Sequence, residues 1–479
     1  MNVVNFLEDC VEKHPTKIAL VDEEEGLTFQ QLYQEVQNFS SHITFLNKKN
    51  VISLIAENSA SFVVSYLGII NSGKIVHLIP PEISENNLLN QLRSADSGAI
   101  ICSNIIKKNL SKFATIKIPL FEFSEIPFQS APNVNNPKAN DLAYLIYTSG
   151  TTSEPKGVAI SHAMTEFTTK NIVKVLGYSN SDVDVLPLPL YHSFGLGCLH
   201  TSLCVGSTLV LLKNANNLQH VLESLKKHNA TTLAVIPATL TKFLKFDRSV
   251  LESYFSNIRL IITNSTSIPK NTVNSFKQIL KNGHLATYYG LTEASRSTFM
   301  IFDKTERREE SVGNTAPSVQ IKIVNEDQVD AKVGEIWIKG NNVIKKYWNN
   351  SEADKNLVGG WLRTGDIGYF DDENYLFLKG RSDDMINVGG EKIAPHEIED
   401  IVKQLSGVED VAAFGITHEV FGQVIKLNVV KSKDSDLDKS KILTHCMKNL
   451  EKFKIPSKID FVESIPKTDY GKVKRFMLK

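Results

Sequence analysis

The chain has 479 residues, 42% of them hydrophobic and 22% charged, which is enough for sizeable cores and more than one domain. Its 53 Lys+Arg balance 53 Asp+Glu for a formal net charge of zero. That balance argues against a broad basic surface for nucleic acid or anionic lipid. The five cysteines, Cys10, Cys102, Cys198, Cys204 and Cys446, show no CxxC or Cys/His ligand spacing, and an odd set of thiols suits a reducing cytosol.

Taken in chain order, Met1 leads into "NVVNFLEDCVEKHP", an amphipathic helix pattern rather than a signal peptide. "TFQQLYQEVQNFSSHI" reads as a helix with Thr28 at its N-cap and Gln31 at the capping-box position. "VISLIA", "GAIICS", "STLVLL", "TTLAVIP" and "IRLIIT" are short β-branched runs of the kind buried in parallel sheets. "FVVSYLGII" is far below the ~20 residues needed to span a bilayer. "LQHVLESLKKH" and "PKNTVNSFKQILKN" are helices between strands. This alternation predicts stacked α/β layers with largely parallel sheets. After residue 310, "VQIKIVNEDQ", "GEIWIKG" and "NYLFLKGR" predict an antiparallel barrel or meander. From Asp383 onward, "APHEIEDIVKQLSG" is a helix with Gly407 expected at its C-cap, and "VEDVAAFGI", "QVIKLNVV" and "SKIDFVES" are strands. The fold class expected is α/β: a large N-terminal domain of stacked layers with a β-barrel-like subdomain, residues 1–382, and a small α+β domain, residues 383–479.

The stretch "YLIYTSGTTSEPKGVAISH", Tyr144 to His162, follows a buried strand with hydroxyls, two glycines and a lysine. Thr148, Ser149, Thr151, Thr152 and Ser153 supply small donors, and Lys156 a positive charge. Gly150 and Gly157 permit tight turns. Such a loop suits polyphosphate oxygens. It is not a Walker loop, because Lys156 precedes Gly157 instead of following a glycine. A Ser/Thr/Gly cluster alone is more often a solvated turn; the order of residues, with Pro155 before Lys156, favours the phosphate reading.

At this point the sequence resembles the AMP-forming adenylating enzymes: acyl- and aryl-CoA synthetases, peptide-synthetase adenylation domains and luciferases. The resemblance continues in order through "PLPLYHSFGLG" (187–197), "YYGLTEAS" (288–295), "GEIWIKG" (334–340), "WLRTGDIGYF" (361–370), "GRSDDMINVGGEKIAPHEIE" (380–399) and "PKTDYGKVKR" (466–475). One departure is Ser153, where the family usually has glycine.

The resemblance implies a fold with a mobile C-terminal lid. It implies ATP, Mg2+ and CoA, or a carrier protein's phosphopantetheine, as co-reactants with a small carboxylic acid. It also implies roles for single residues. Nucleotide contacts fall to Thr148, Ser149, Gly150, Thr151, Thr152, Lys156, Tyr289, Gly290, Asp366 and Arg381. An ionised Asp366 would accept from both ribose hydroxyls, and Tyr289 would lie against the adenine. Thr292 would bond the α-phosphate, and Glu293 offers a hard oxygen for Mg2+. Read alone, Glu293 is a surface glutamate at a helix start. Lys472 would bridge the carboxylate and the α-phosphate; read alone it is one of several tail lysines, with Lys467, Lys474 and Arg475 nearby. Asp383 is the expected hinge, and Gly389 and Gly390 would line the pantetheine entry. His192 and Phe194 belong to the acyl pocket, His192 also with a catalytic role. Arg296 reads first as a structural or surface arginine, and second as the partner of another anionic group on the acid.

The expected activity is therefore formation of an acyl-AMP with release of pyrophosphate, followed by thioester formation with CoA, in a cytoplasmic protein without integral membrane association or nucleic-acid partner. Loading of a stand-alone acyl or peptidyl carrier protein is the alternative acceptor reaction. A non-catalytic nucleotide-binding regulator is the alternative of another class.

Overall fold

The apolar runs form parallel strands, and the structure places them in two sheets. The computed structural model describes residues 2–23, 25–43, 49–111, 116–125, 137–148, 156–264, 268–303, 307–325, 327–388, 391–419, 421–433, 435–467 and 473–478. Packing divides the chain into two units, Met1–Ile321 with Ile338–Leu362, and Lys322–Trp337 with Arg363–Lys479. This packing division does not follow the boundary expected at residue 383.

In the first unit, one sheet orders the strands Ser311–Thr315, Ala294–Phe302, His284–Leu291, Leu260–Thr263, Thr232–Ala234, Val183–Leu186, Thr208–Leu211, Ile18–Asp22 and Glu25–Thr28. Its centre is parallel and its two ends are antiparallel. The other sheet orders Tyr347–Trp348, Lys156–Ser161, Leu142–Thr148, Ile75–Ile79, Val51–Ile55, Ser97–Cys102 and Leu120–Glu122. Its parallel core gives way to antiparallel pairs at Leu142–Thr148 and Lys156–Ser161. Strands such as Val51–Ile55 and Ser97–Cys102 are buried along their whole length, as parallel strands covered on both faces must be.

Local chemistry sets the helix starts. The capping box forms as read: Gln31 N donates to Thr28 Oγ1 (3.2 Å) and Thr28 N to Gln31 Oε1 (2.9 Å), opening the helix Phe29–Ile43. Asn217 caps Leu218–Lys227, and Asp438 caps Lys439–Asn449. "FVVSYLGII" lies in the buried helix Ala60–Asn71. Among the described residues no helix is long and apolar enough to cross a membrane.

From Arg363 onward, the strand Trp361–Phe370 belongs to the second unit, where it pairs antiparallel with Leu376–Arg381 and sets Asp366 opposite Arg381. It also contains the sheet Glu391–Ile393, Ile386–Val388, Gly422–Lys431 and Val408–His418, with Lys458–Phe461 on Gly422–Lys431. Ile386, Ile398, Val411, Leu427 and Ile442 centre its core. One cap expectation fails. The helix Pro395–Val402 ends at Lys403, so Gly407 is not its C-cap. Gly407 has φ +93° at the start of the next strand, where a Cβ would meet Ser435 Oγ at 2.1 Å.

Buried imidazoles punctuate the first unit. His77 Nδ1 lies 2.9 Å from Ser53 Oγ, which lies 2.6 Å from Ser97 Oγ. His200 Nε2 meets the Tyr66 hydroxyl at 2.8 Å. Burial holds His77 and His200 down to about 3, and His162 and His192 down to about 4. Asp184, between strands that carry Thr208–Leu211 and Thr232–Ala234, is pushed by burial up to about 7.

The four histidines thus bind protons more readily unfolded than folded. Their contribution to stability is complete above about pH 6.5 and is lost as pH falls toward 4. Asp184 acts in the opposite sense, as one group against four. The urea midpoint should decline steadily between pH 7 and pH 4.5; a flat or rising midpoint would contradict neutral buried imidazoles.

Candidate active site

Four sequence elements meet around Glu293. The strands His284–Leu291 and Ala294–Phe302 form a hairpin with Leu291 opposite Ala294, so Thr292 and Glu293 occupy its tip. This is a hairpin turn, held by the antiparallel ladder on either side, and not the surface helix start that Glu293 read alone suggests. Ile344 N donates to the Glu293 carbonyl (2.9 Å), and the Tyr347 hydroxyl donates to Glu293 Oε1 (3.2 Å). Burial, reinforced by the Glu293 charge, raises the Tyr347 phenol well above its ordinary range, so it remains a donor.

Tyr347 also sits opposite Val158, and Trp348 opposite Gly157, in an antiparallel pair with the strand that leaves the Ser/Thr loop. The loop's two stems are themselves paired, Thr148 against Lys156. Ser94 fastens both sides: its hydroxyl accepts from Tyr147 (2.9 Å) and its carbonyl from Trp348 Nε1 (3.1 Å). Gly157 therefore does not turn the chain, contrary to expectation. It lies in a strand, and a Cβ there would come within 3.0 Å of the Tyr147 ring and 3.1 Å of Trp348 Cβ. Ser149, Gly150, Thr151 and Thr152, with Ser153 to Pro155, lie outside the described residues.

Tyr289 is 7% exposed, with its backbone N donating to Thr298 Oγ1 (3.3 Å); Gly290 follows it in the same strand. His192 stands at the N-cap of the helix Ser193–Val205. Phe194 is buried and packs edge-on against Tyr288, centroids 5.4 Å apart. Arg296 is not a surface residue: it is buried, and its guanidinium lies over the Tyr288 ring.

In the second unit, Asp366 is built into a tight corner. Gly365 has φ +70°, a conformation that glycine adopts without strain. Its N donates to Glu335 Oε1 (3.1 Å), and Asp366 N donates to Thr364 Oγ1 (3.0 Å). Arg381 Nη1 donates to Asp366 Oδ1 (3.1 Å) and to the Thr364 carbonyl (2.8 Å). Glu335 also accepts from Arg363 and from Trp337 Nε1. Asp383 lies in the short helical turn Ser382–Asp384 that follows Arg381. Gly389, Gly390 and Lys472 lie outside the described residues. The base of the segment bearing Lys472 is described: Lys467 bridges Val473, Lys467 Nζ meets Asp410 (2.5 Å), and Arg475 meets Glu399 (2.5 Å).

Sequence reasoning missed Tyr347, Ser94 and Glu335. Tyr347 carried a weak signal, an aromatic pair in "KKYWNN" just after a strand, and Glu335 was visible in "GEIWIKG". Ser94 carried none, because its role depends on a strand more than fifty residues away.

Among the described residues no group of three His, Cys, Asp or Glu could hold a metal. A single carboxylate such as Glu293 still fits magnesium, which takes most of its ligands from water and substrate phosphates.

The family model for AMP-binding enzymes matches residues 7–348, and that for the AMP-binding enzyme C-terminal domain matches 397–472. A long-chain-fatty-acid–CoA ligase of Haemophilus influenzae is 27% identical over 100% of this chain and 94% of its own. An oxalate–CoA ligase of Arabidopsis thaliana is 28% identical over 98% of this chain and 96% of its own. The o-succinylbenzoate CoA synthetase (MenE) of Bacillus subtilis, solved with its acyl-adenylate intermediate, superposes with a TM-score of 0.90 at 26% identity, covering 99% of this chain and 98% of that one. The chain belongs to the AMP-binding enzyme family, within the adenylate-forming superfamily and with the layout of its AMP-forming acyl- and aryl-CoA synthetases.

Proposed function

We propose that this protein joins a carboxylic acid to the thiol of CoA at the expense of ATP, in two half-reactions. A carboxylate oxygen attacks the α-phosphorus of ATP; the bond to the β-phosphate breaks and pyrophosphate leaves. The thiol sulfur then attacks the acyl carbon, AMP leaves with the bond electrons, and the thiol proton passes to solvent. The observation that carries this reading is the Tyr347 clasp, which ties the Glu293 turn to the strand leaving the Ser/Thr loop.

Each residue has a task in that sequence. Thr148 and Lys156, with Ser149 to Thr152, contact the phosphates. Glu293 holds the magnesium ion that ATP brings, which neutralises part of the triphosphate charge. Thr292 bonds the α-phosphate, and Tyr289 and Gly290 flank the adenine. Asp366 and Arg381, already engaged with each other, receive the ribose. His192, neutral because burial holds it near 4, orients the carboxylate without adding charge. Lys472 counters the charge that builds on the α-phosphate. The segment 383–479 moves about Asp383, and Gly389 and Gly390 admit the pantetheine arm in the second pose.

Three outcomes test these assignments. Lys472→Ala should reduce acyl-AMP formation by about 100-fold or more, as loss of a transition-state charge partner does, while sparing thioester formation from supplied acyl-AMP; equal loss of both steps would contradict its role. Asp383→Pro should slow the thioester step more than pyrophosphate release, so an unchanged overall rate would count against the hinge. Tyr347→Phe should raise the magnesium concentration needed for half-maximal pyrophosphate release and lower the rate by about 10-fold, a typical cost for a lost hydrogen bond to a carboxylate. An unaltered magnesium dependence would remove Tyr347 from the site. Chromatography of the products, free acyl-CoA against a labelled carrier protein, decides the acceptor.

A further inference from the structure

Beside Thr292 lies a buried cation that the described protein does not neutralise. Arg296 is 5% exposed, at φ +54°, a conformation uncommon outside glycine. Its Nη1 donates to the Ser193 carbonyl (3.3 Å) and Ser295 Oγ (2.7 Å), and its Nη2 to the Ser193 and Phe194 carbonyls (3.3 and 3.2 Å). The Tyr288 ring centroid lies 4.8 Å from the guanidinium carbon. Every one of these partners is formally neutral, and Nε has no partner among the described residues. Removing a charge from water costs several kcal/mol unless an opposite charge answers it. The helix Ser193–Val205 makes room for this cation at Gly197, where a Cβ would stand 2.1 Å from Arg296 Nη2.

The cavity here is lined by Thr165, Ser193, His200, Thr292, Arg296 and Asn342, among others. Its second unused group is an acceptor. Asn342 is 1% exposed; its Nδ2 donates to the Ser295 carbonyl (3.2 Å) and Ser297 Oγ (2.9 Å), while Oδ1 has no partner among the described residues. Those two donations fix the amide's orientation, so the free atom is the oxygen. The cavity is about 30 Å3, space for two or so water-sized groups and not for an alkyl chain.

We propose that this cavity receives a second anionic group of the acid, so that the preferred substrates are short dicarboxylates rather than long-chain monocarboxylates. The proposal rests on the adenylation reading, since Thr292 beside the cavity is the residue assigned to the α-phosphate. A second carboxylate would take the Arg296 Nε–H, supply the missing counter-charge, and leave Asn342 Oδ1 to a bound water or a substrate hydroxyl. Long apolar chains would have to cover a charged guanidinium and a bare amide oxygen.

The test is ATP-dependent pyrophosphate release with matched pairs, succinate against butyrate and glutarate against valerate, with palmitate alongside. The wild type should favour the dicarboxylate by about 100-fold in kcat/KM, the scale of a buried charge pair. Arg296→Met should bring that ratio to within about 10-fold of one, mainly through KM for the dicarboxylate, and Arg296→Lys should restore part of it. An ATP-induced rise in melting temperature shows that each variant is folded. If Arg296→Met does not fold, the wild-type preference and the Arg296→Lys ratio decide alone. A wild type that prefers monocarboxylates, or a ratio unmoved by substitution, would overturn the proposal while leaving adenylation standing. No pyrophosphate with any acid would overturn the adenylation reading itself.

Discussion

The arrangement depends on one residue making two kinds of bond at once. Tyr347 pairs its backbone with the strand that leaves the Ser/Thr loop and donates its phenol to Glu293. The strand pairing fixes where Tyr347 can be, and the hydrogen bond then fixes where the carboxylate points. Segments almost 140 residues apart in sequence, Lys156 and Glu293, are thereby held to a common frame. Ser94 extends that frame to the other stem of the loop through Tyr147 and Trp348. Charge must be met at fixed points for phosphoryl chemistry to gain from it, and groups that are already in place lose nothing to reorganisation.

The second unit shows the same economy on a smaller scale. Glu335 takes the Gly365 amide with one oxygen and Arg363 and Trp337 with the other. That leaves Asp366 at a corner whose backbone has no freedom, opposite an arginine it already meets. The Arg475–Glu399 pair and the Lys467–Asp410 pair do the corresponding work at the base of the segment that carries Lys472.

Much of this was legible in the sequence, and the reasons differ by element. The parallel strands showed as short β-branched runs because burial on both faces leaves no polar position to hide them. The helix Phe29–Ile43 announced its own start, since the Thr28–Gln31 exchange is local. Gly157 and Gly407 misled because a glycine in the sequence does not say whether a turn or a close neighbour requires it. The structure shows that at Gly157 the excluded volume belongs to Tyr147 and Trp348, and at Gly407 to Ser435. The motif marks Glu293 as a ligand candidate but not the turn that carries it, because that turn is set by a ladder between strands rather than by its own residues. The sequence leaves Arg296 between a structural and a surface role, because its burial depends on Gly197, a residue on another element. Ser94 and Tyr347 stayed hidden for the same reason, as their partners are brought near only by the fold.

The central claim is that an oxygen of the acid attacks the α-phosphorus of ATP at this site. It is tested most directly by supplying an acid labelled with oxygen-18 in its carboxylate and analysing the AMP by mass spectrometry after complete turnover. The account predicts one labelled oxygen in the phosphate of AMP and none in pyrophosphate. Unlabelled AMP, or label appearing in inorganic phosphate alongside ADP, would contradict it.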